Sequence, residues 1–259
     1  MPVASPIVDD DLLTVLRGTP ALRPAVDRGL AGGLRAWLED GIFERLGTPA
    51  PGPVRLTSRT VAGTPSLASA ASLLRGALIA QLVRLKVASA PVNDPFDDAA
   101  CALSASGRND DLVALLVDLD ADEHARLAAE VEAHHAVLDA LLPSIPSRWS
   151  PRCGVRQAVP LAGGGVELRG CVDVELGQPG TSRSCVCLID VTTSVLEPRH
   201  DAVLSYLALL ETLRSGESPL RVAALSTADG TFRVRDVSSE LLSGAVELVL
   251  HALVAPPGT

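Results

Sequence analysis

The sequence predicts an α/β protein, with a mostly helical N-terminal region over residues 1–118 packed on an α/β core over residues 119–259. Three observations carry this. Apolar residues recur at helical spacing through the first half, as in Leu73, Leu74, Ala77, Leu78, Leu82 and Leu85. In the second half Val166–Leu176 alternates, with Glu167, Arg169, Cys171, Asp173 and Glu175 on one face and Val166, Leu168, Val172, Val174 and Leu176 on the other. Cys185–Thr192 is apolar on both faces, the pattern of a strand at the centre of a sheet.

The elements follow in order. Asp9–Arg17 reads as a short helix, and a second helix follows Pro24, with Val26, Leu30, Leu34, Trp37, Leu38 and Ile42 at helical spacing and Gly47 as its stop. Thr48–Pro53 is a rigid connector, Val54–Ala62 an extended segment and Ser66–Ala88 a long helix. Pro91–Asp98 reads as a loop, and Asp110–Asp118 and Asp122–Leu142 as helices. Ser144–Pro151 separates the halves. Strands are then expected at Val155–Leu161, Val166–Leu176 and Ser184–Thr192, a helix at Pro198–Arg214, strands at Leu220–Thr227 and Thr231–Val237, and a helix at Ser239–Leu253. Gly163–Gly165, Gly177–Gly180 and Asp229–Gly230 supply the turns, Pro198 suits a first helical turn and Gly216 a stop.

Composition narrows the function. A chain of 259 residues that is 47% hydrophobic can bury a full core. A formal charge of −9 argues against nucleic-acid binding through a broad basic face, and Val166–Gly216 alone carries four arginines against seven acids. Any contact with DNA then rests on local arginines or on a partner, either another protein or a second copy of the chain. Met1–Asp11 is acidic without an apolar stretch and no run approaches a membrane span, so neither a signal peptide nor a membrane role is expected. Five cysteines, an odd number lying mostly in core elements, suit a reducing cytoplasm. Cys185 and Cys187 share a strand face that Cys171 can approach. Without C-x-x-C spacing they read as small core hydrophobes, with a zinc or cluster site as the alternative.

The chemistry concentrates in two lone carboxylates. Burying an ionised Asp in a two-faced apolar strand is costly unless it is paired or holds a metal, so Asp190 needs a partner. Pairing of the two strands can bring Asp173 beside it. Elsewhere, Glu130 and His134 lie one helical turn apart, a spacing that can chelate a metal, although they read first as a solvated helix face.

Gly170-Cys171-Val172-Asp173, a hairpin, Leu188-Ile189-Asp190-Val191-Thr192-Thr193 and a helix bearing Tyr206 together resemble the PD-(D/E)XK nuclease family, in its RecB-type branch. The pattern there is G-x-x-D, a hairpin, an apolar run ending in D-x-K-T and a helix with Q-x-x-x-Y. The resemblance covers about half the chain and implies an α-β-β-β-α-β core with a central mixed sheet. It also implies Asp173 and Asp190 as ligands of magnesium or manganese, with Thr192 at the lysine position and Tyr206 at the tyrosine position. Three positions depart: Thr192 replaces the lysine, Ala202 the glutamine and Ala80, after Arg75-Gly76, a histidine ligand. The expectation is a nuclease-like protein of DNA repair, recombination or defence, catalytically degenerate and acting as a binding or assembly module. The alternatives are an active nuclease with a relocated base, either Lys86 (the sole lysine), Arg199 or His200, and an unrelated α/β protein in which an arginine such as Arg169 holds Asp190. His200 is the further candidate acid, base or ligand, and Tyr206 reads equally as a core residue with a hydrogen-bonded tip.

Overall fold

The computed structural model describes residues 12–17, 27, 29–47, 53–63, 69–107, 109–142, 144–177 and 185–254. The helices are α1 (Leu12–Arg17), α2 (Leu30–Leu46), α3 (Ser58–Val61), α4 (Ala70–Val87), α5 (Pro95–Ala105), α6 (Asp110–Val117), α7 (Ala121–Leu141), α8 (Pro198–Ser215) and α9 (Ser239–Ala252). The strands are β1 (Val54–Thr57), β2 (Arg152–Leu161), β3 (Val166–Leu176), β4 (Cys187–Thr192), β5 (Arg221–Ser226) and β6 (Phe232–Asp236). The protein is α/β, with a six-stranded mixed sheet and a helical N-terminal region. The succession α7-β2-β3-β4-α8-β5 is the order expected.

β3 is the hub of the sheet. β2 covers one of its edges antiparallel, from Arg152 opposite Glu175 to Leu161 opposite Val166. The other edge is divided: β1 pairs with Val166–Arg169 in parallel, while β4 pairs antiparallel with Val174–Leu176. Residues 170–173 of β3 therefore lie at a fork between β1 and β4. Beyond β4 the sheet continues through parallel β5 and antiparallel β6. As its two apolar faces require, β4 is interior.

Helices cover both faces. Leu38, Leu207, Leu210 and Val246, from α2, α8 and α9, pack on one side; Leu16, Leu78, Phe96 and Val131, from α1, α4, α5 and α7, pack on the other. Gly170 lets α8 approach β3 closely, since a Cβ there would stand 2.6 Å from the Leu210 side chain.

Several sequence expectations change. Val54–Ala62 is extended only to Thr57, whose hydroxyl accepts the Thr60 N–H and starts α3. Pro91–Asp98 is not all loop: Asp94 caps α5 by accepting the Asp97 N–H, with Pro95 in the first turn. The division at residue 118 is crossed by β1, which joins the sheet of the C-terminal half. The simple alternation in β3 also fails. Val166, Leu168 and Val172 pack with α8, whereas Val174 and Leu176 pack on the opposite side with α4 and α7. The change occurs where Gly154, at φ +60°, lies across from Asp173, the one position at which the β2–β3 pairing is interrupted. Asp9–Asp11, Val26, Thr48–Gly52, Ser66–Ala68 and Gln178–Ser184, which includes most of the Gly177–Gly180 turn, lie outside the described residues.

Candidate functional site

The fork in β3 opens into a cleft of about 520 Å³. Asp173 and Asp190 lie in it, joined by Thr192 and Ser194 at the end of β4, Arg199 and His200 at the start of α8, Arg59 from α3, and Arg75 and Ala80 from α4. Four of the five predicted site residues, Asp173, Asp190, Thr192 and His200, are thus brought together. The local reason is the broken Gly154–Asp173 pair. Freed from the regular pleat, Asp173 turns its carboxylate to the neighbouring strand and accepts the Val191 N–H at 2.7 Å.

The two carboxyls are electrostatically strained. Burial pushes the Asp190 pKa above its ordinary range, and the nearby Asp173 charge pushes it further. Burial also raises Asp173, partly offset by the Val191 N–H and by the Arg84 guanidinium. Arg84 bonds Gln81 at 3.3 Å and lies against Gly154, where a Cβ would come within 3.2 Å of it. Asp190 has no hydrogen-bond or ion-pair partner among the described residues. Arg169, the arginine nominated for it, instead binds Glu167 at 2.8 Å.

The donor set fits a hard divalent cation, because both side chains offer oxygen and both are relieved by positive charge. The fit is a minimal one. Among the described residues no group of three or more His, Cys, Asp or Glu side chains is placed to hold a metal. Magnesium tolerates such a site because it keeps several waters as ligands.

Thr192 supplies no charge. Its hydroxyl is 2.9 Å from that of Ser194 and accepts the Ser194 N–H, while its carbonyl accepts the Thr227 N–H. His200 is 7% exposed, and burial lowers its pKa. Its Nδ1 lies 2.9 Å from the Glu197 backbone nitrogen and 3.2 Å from the Glu197 carbonyl oxygen. Tyr206 is absent from the cleft. It is fully buried, and its hydroxyl lies 3.0 Å from the carbonyls of both Leu56 and Arg169, to which it donates, tying β1 to β3. This is the core role with a hydrogen-bonded tip, and the catalytic assignment of Tyr206 has no geometric support.

Other candidates are engaged elsewhere. Lys86 is ion-paired with Asp139 and does not line the cleft. Glu130 pairs with Arg75 at 2.9 Å, and His134 Nδ1 lies 2.9 Å from the Thr227 carbonyl and hydroxyl, so this pair does not converge on a metal. Cys187 is buried with its thiol toward the Leu16 carbonyl, burial raising its pKa to about 12, and Cys171 is exposed.

What sequence reading missed is the basic lining. Arg59 and Arg75 come from segments about a hundred residues before Asp173, and the only advance signal was the Arg75-Gly76 pair. No helix among the described residues is long and apolar enough to cross a membrane.

No family model matches the chain, and no curated protein matches it. Among solved structures, the crystal structure of SSO0001 is similar at 11% identity and a TM-score of 0.33, with 86% of each chain covered. So low a score carries no argument about fold or function.

Proposed function

We propose that this chain is a catalytically degenerate nuclease-like protein of the PD-(D/E)XK type, RecB branch, acting in DNA processing as a binding or assembly module. One observation carries the reading: Asp173 and Asp190 line one cleft together with the neutral Thr192, which stands where the resemblance implies a lysine. Asp173 and Asp190 are the residues that would hold magnesium or manganese. A bound ion of this kind polarises a phosphodiester and activates water.

The chain's own groups do the rest. The Val191 N–H orients Asp173, and Arg59 lines the cleft beside Arg75 and Arg199, whose charges are shared with Glu130 and Glu197. Thr192 carries no charge, and Lys86, paired with Asp139, does not line the cleft. Loss of one such electrostatic group commonly costs a factor of about 10² to 10³ in rate. The link to DNA repair, recombination or defence rests on the resemblance of fold and motif.

A second reading, an active nuclease with a relocated base, is favoured by Arg199 and His200 lining the same cleft. Cleavage of labelled single- and double-stranded DNA with manganese or magnesium separates the two, comparing wild type, Asp190→Ala and Thr192→Lys. The degenerate reading expects no cleavage by wild type at high protein concentration, and cleavage by Thr192→Lys that disappears when Asp190→Ala is added. Wild-type cleavage abolished by Asp190→Ala establishes the second reading instead. If manganese fails to bind the wild type by calorimetry and Thr192→Lys is inert, both readings fall.

A further inference from the structure

We propose that α6, together with the groove between α4 and α7 beside it, is a docking surface for a basic amphipathic helix of a partner protein. The first observation is apolar surface left on α6, whose Leu112, Val113 and Leu116 pack on the core while Leu115 and Val117 face outward. α6 reads Asp-Asp-Leu-Val-Ala-Leu-Leu-Val, and none of its residues is buried. Val117 is 78% exposed and Leu115 38% exposed. Apolar surface of this kind, rimmed by polar groups, marks interaction sites. Beside it runs a groove of about 250 Å³ lined by Leu74, Leu115, Leu119 and Leu127, along which the acids Asp118, Glu123 and Glu130 outnumber Arg126.

The second observation is charge. From Asp94 to Asp139 the chain carries twelve carboxylates against two arginines, an excess larger than the −9 of the entire chain. Among the described residues, ion pairs to Arg75 and Lys86 engage only Glu130 and Asp139 of these acids with cations from outside the segment. A field of this sign repels nucleic acid, an anionic membrane and a second copy of the same face. It attracts a cationic partner. Apolar anchors inside an acidic rim fit a helix with one leucine-rich face and lysines or arginines flanking it.

The groove shares no lining residue with the Asp173–Asp190 cleft, so the inference stands apart from the nuclease-like reading. The test is fluorescence anisotropy with a labelled synthetic helix of leucine and lysine, and with the same helix carrying glutamate for lysine. Each is titrated with the full chain and with Leu115→Ser/Val117→Ser, whose exposed positions leave the fold intact by circular dichroism. The lysine helix is expected to bind wild type, to lose at least about tenfold in affinity to the double variant, and to weaken as salt is raised. The glutamate helix is expected not to bind. Absence of binding, equal binding by wild type and variant, or equal binding of both helices overturns the proposal. So does concentration-dependent dimerisation that the double variant abolishes, because the face would then belong to a second copy.

Discussion

Two carboxylates set in apolar surroundings, Glu211 on α8 and Asp190 on β4, meet burial in opposite ways. Glu211 is fully buried and fully served. Arg214 donates to both of its oxygens at 2.8–2.9 Å and Gln157 adds a third donor at 2.7 Å. Asp190 has no such donor among the described residues, and the charge that acts on it is that of another carboxyl, Asp173. A charge that the fold neutralises by itself is part of the scaffold. A charge left uncompensated at a cleft awaits something from solvent.

Three substitutions test that contrast. The largest effect is expected from Arg214→Ala, which strands Glu211 in the core. It should lower stability by about 3 kcal/mol, the low end for breaking a buried pair because Arg214 is partly exposed, measured by urea unfolding. A change under about 0.5 kcal/mol would show that Glu211 takes up a proton or finds other partners.

Asp190→Asn should act in the opposite direction. The folded-state pKa of Asp190 is raised, so ionisation destabilises the fold as pH rises above the ordinary Asp range and fully so above the folded value. Replacing it should therefore stabilise the cation-free protein by about 1–2 kcal/mol at pH 8, a figure reduced for the openness of the cleft. The gain should shrink toward zero near pH 4. Manganese should stabilise wild type at pH 8 and leave the variant nearly unchanged. A gain that is constant with pH would remove the electrostatic account of the site.

The smallest effect belongs to Tyr206→Phe, a loss of about 1 kcal/mol for one buried hydrogen bond. If Tyr206 is structural, the variant keeps manganese affinity while the β1 amides exchange faster with solvent. A lost cation affinity with unchanged exchange would return Tyr206 to the site.

Particular residues show what was legible in advance. Asp190 stood out because a single charge in a strand apolar on both faces has few explanations, and the structure brings it to one cleft with Asp173. β4 was recognisable as an interior strand because both of its faces are apolar. The start of α5 was also present in the sequence: Asp94-Pro95 with Asp97 three residues after the cap is a helix-initiation pattern, obscured by the surrounding acids and by Pro91.

Other features were not local. β1 is four residues long, too short to show a period, and its partner lies more than a hundred residues away. Gly154 in a strand signals an irregularity, but the register that sets it opposite Asp173 exists only once β2 and β3 pair. Two of the cleft arginines, Arg59 and Arg75, belong to α3 and α4, and no spacing in the sequence connects them to Asp190.

The divided edge of β3 has a kinetic side. The β2–β3 hairpin and the β4-α8-β5 crossover join neighbours in sequence, whereas β1 must close a loop longer than a hundred residues to gain four paired positions. Loop-closure entropy places such a contact late in assembly, and its short ladder makes it among the first to open in the native state. Because α3 rides on β1 and brings Ser58 and Arg59 to the cleft, that wall hangs on the strand pairing with the longest sequence separation in the sheet. The opposite walls, on β4 and α8, are in place before it arrives.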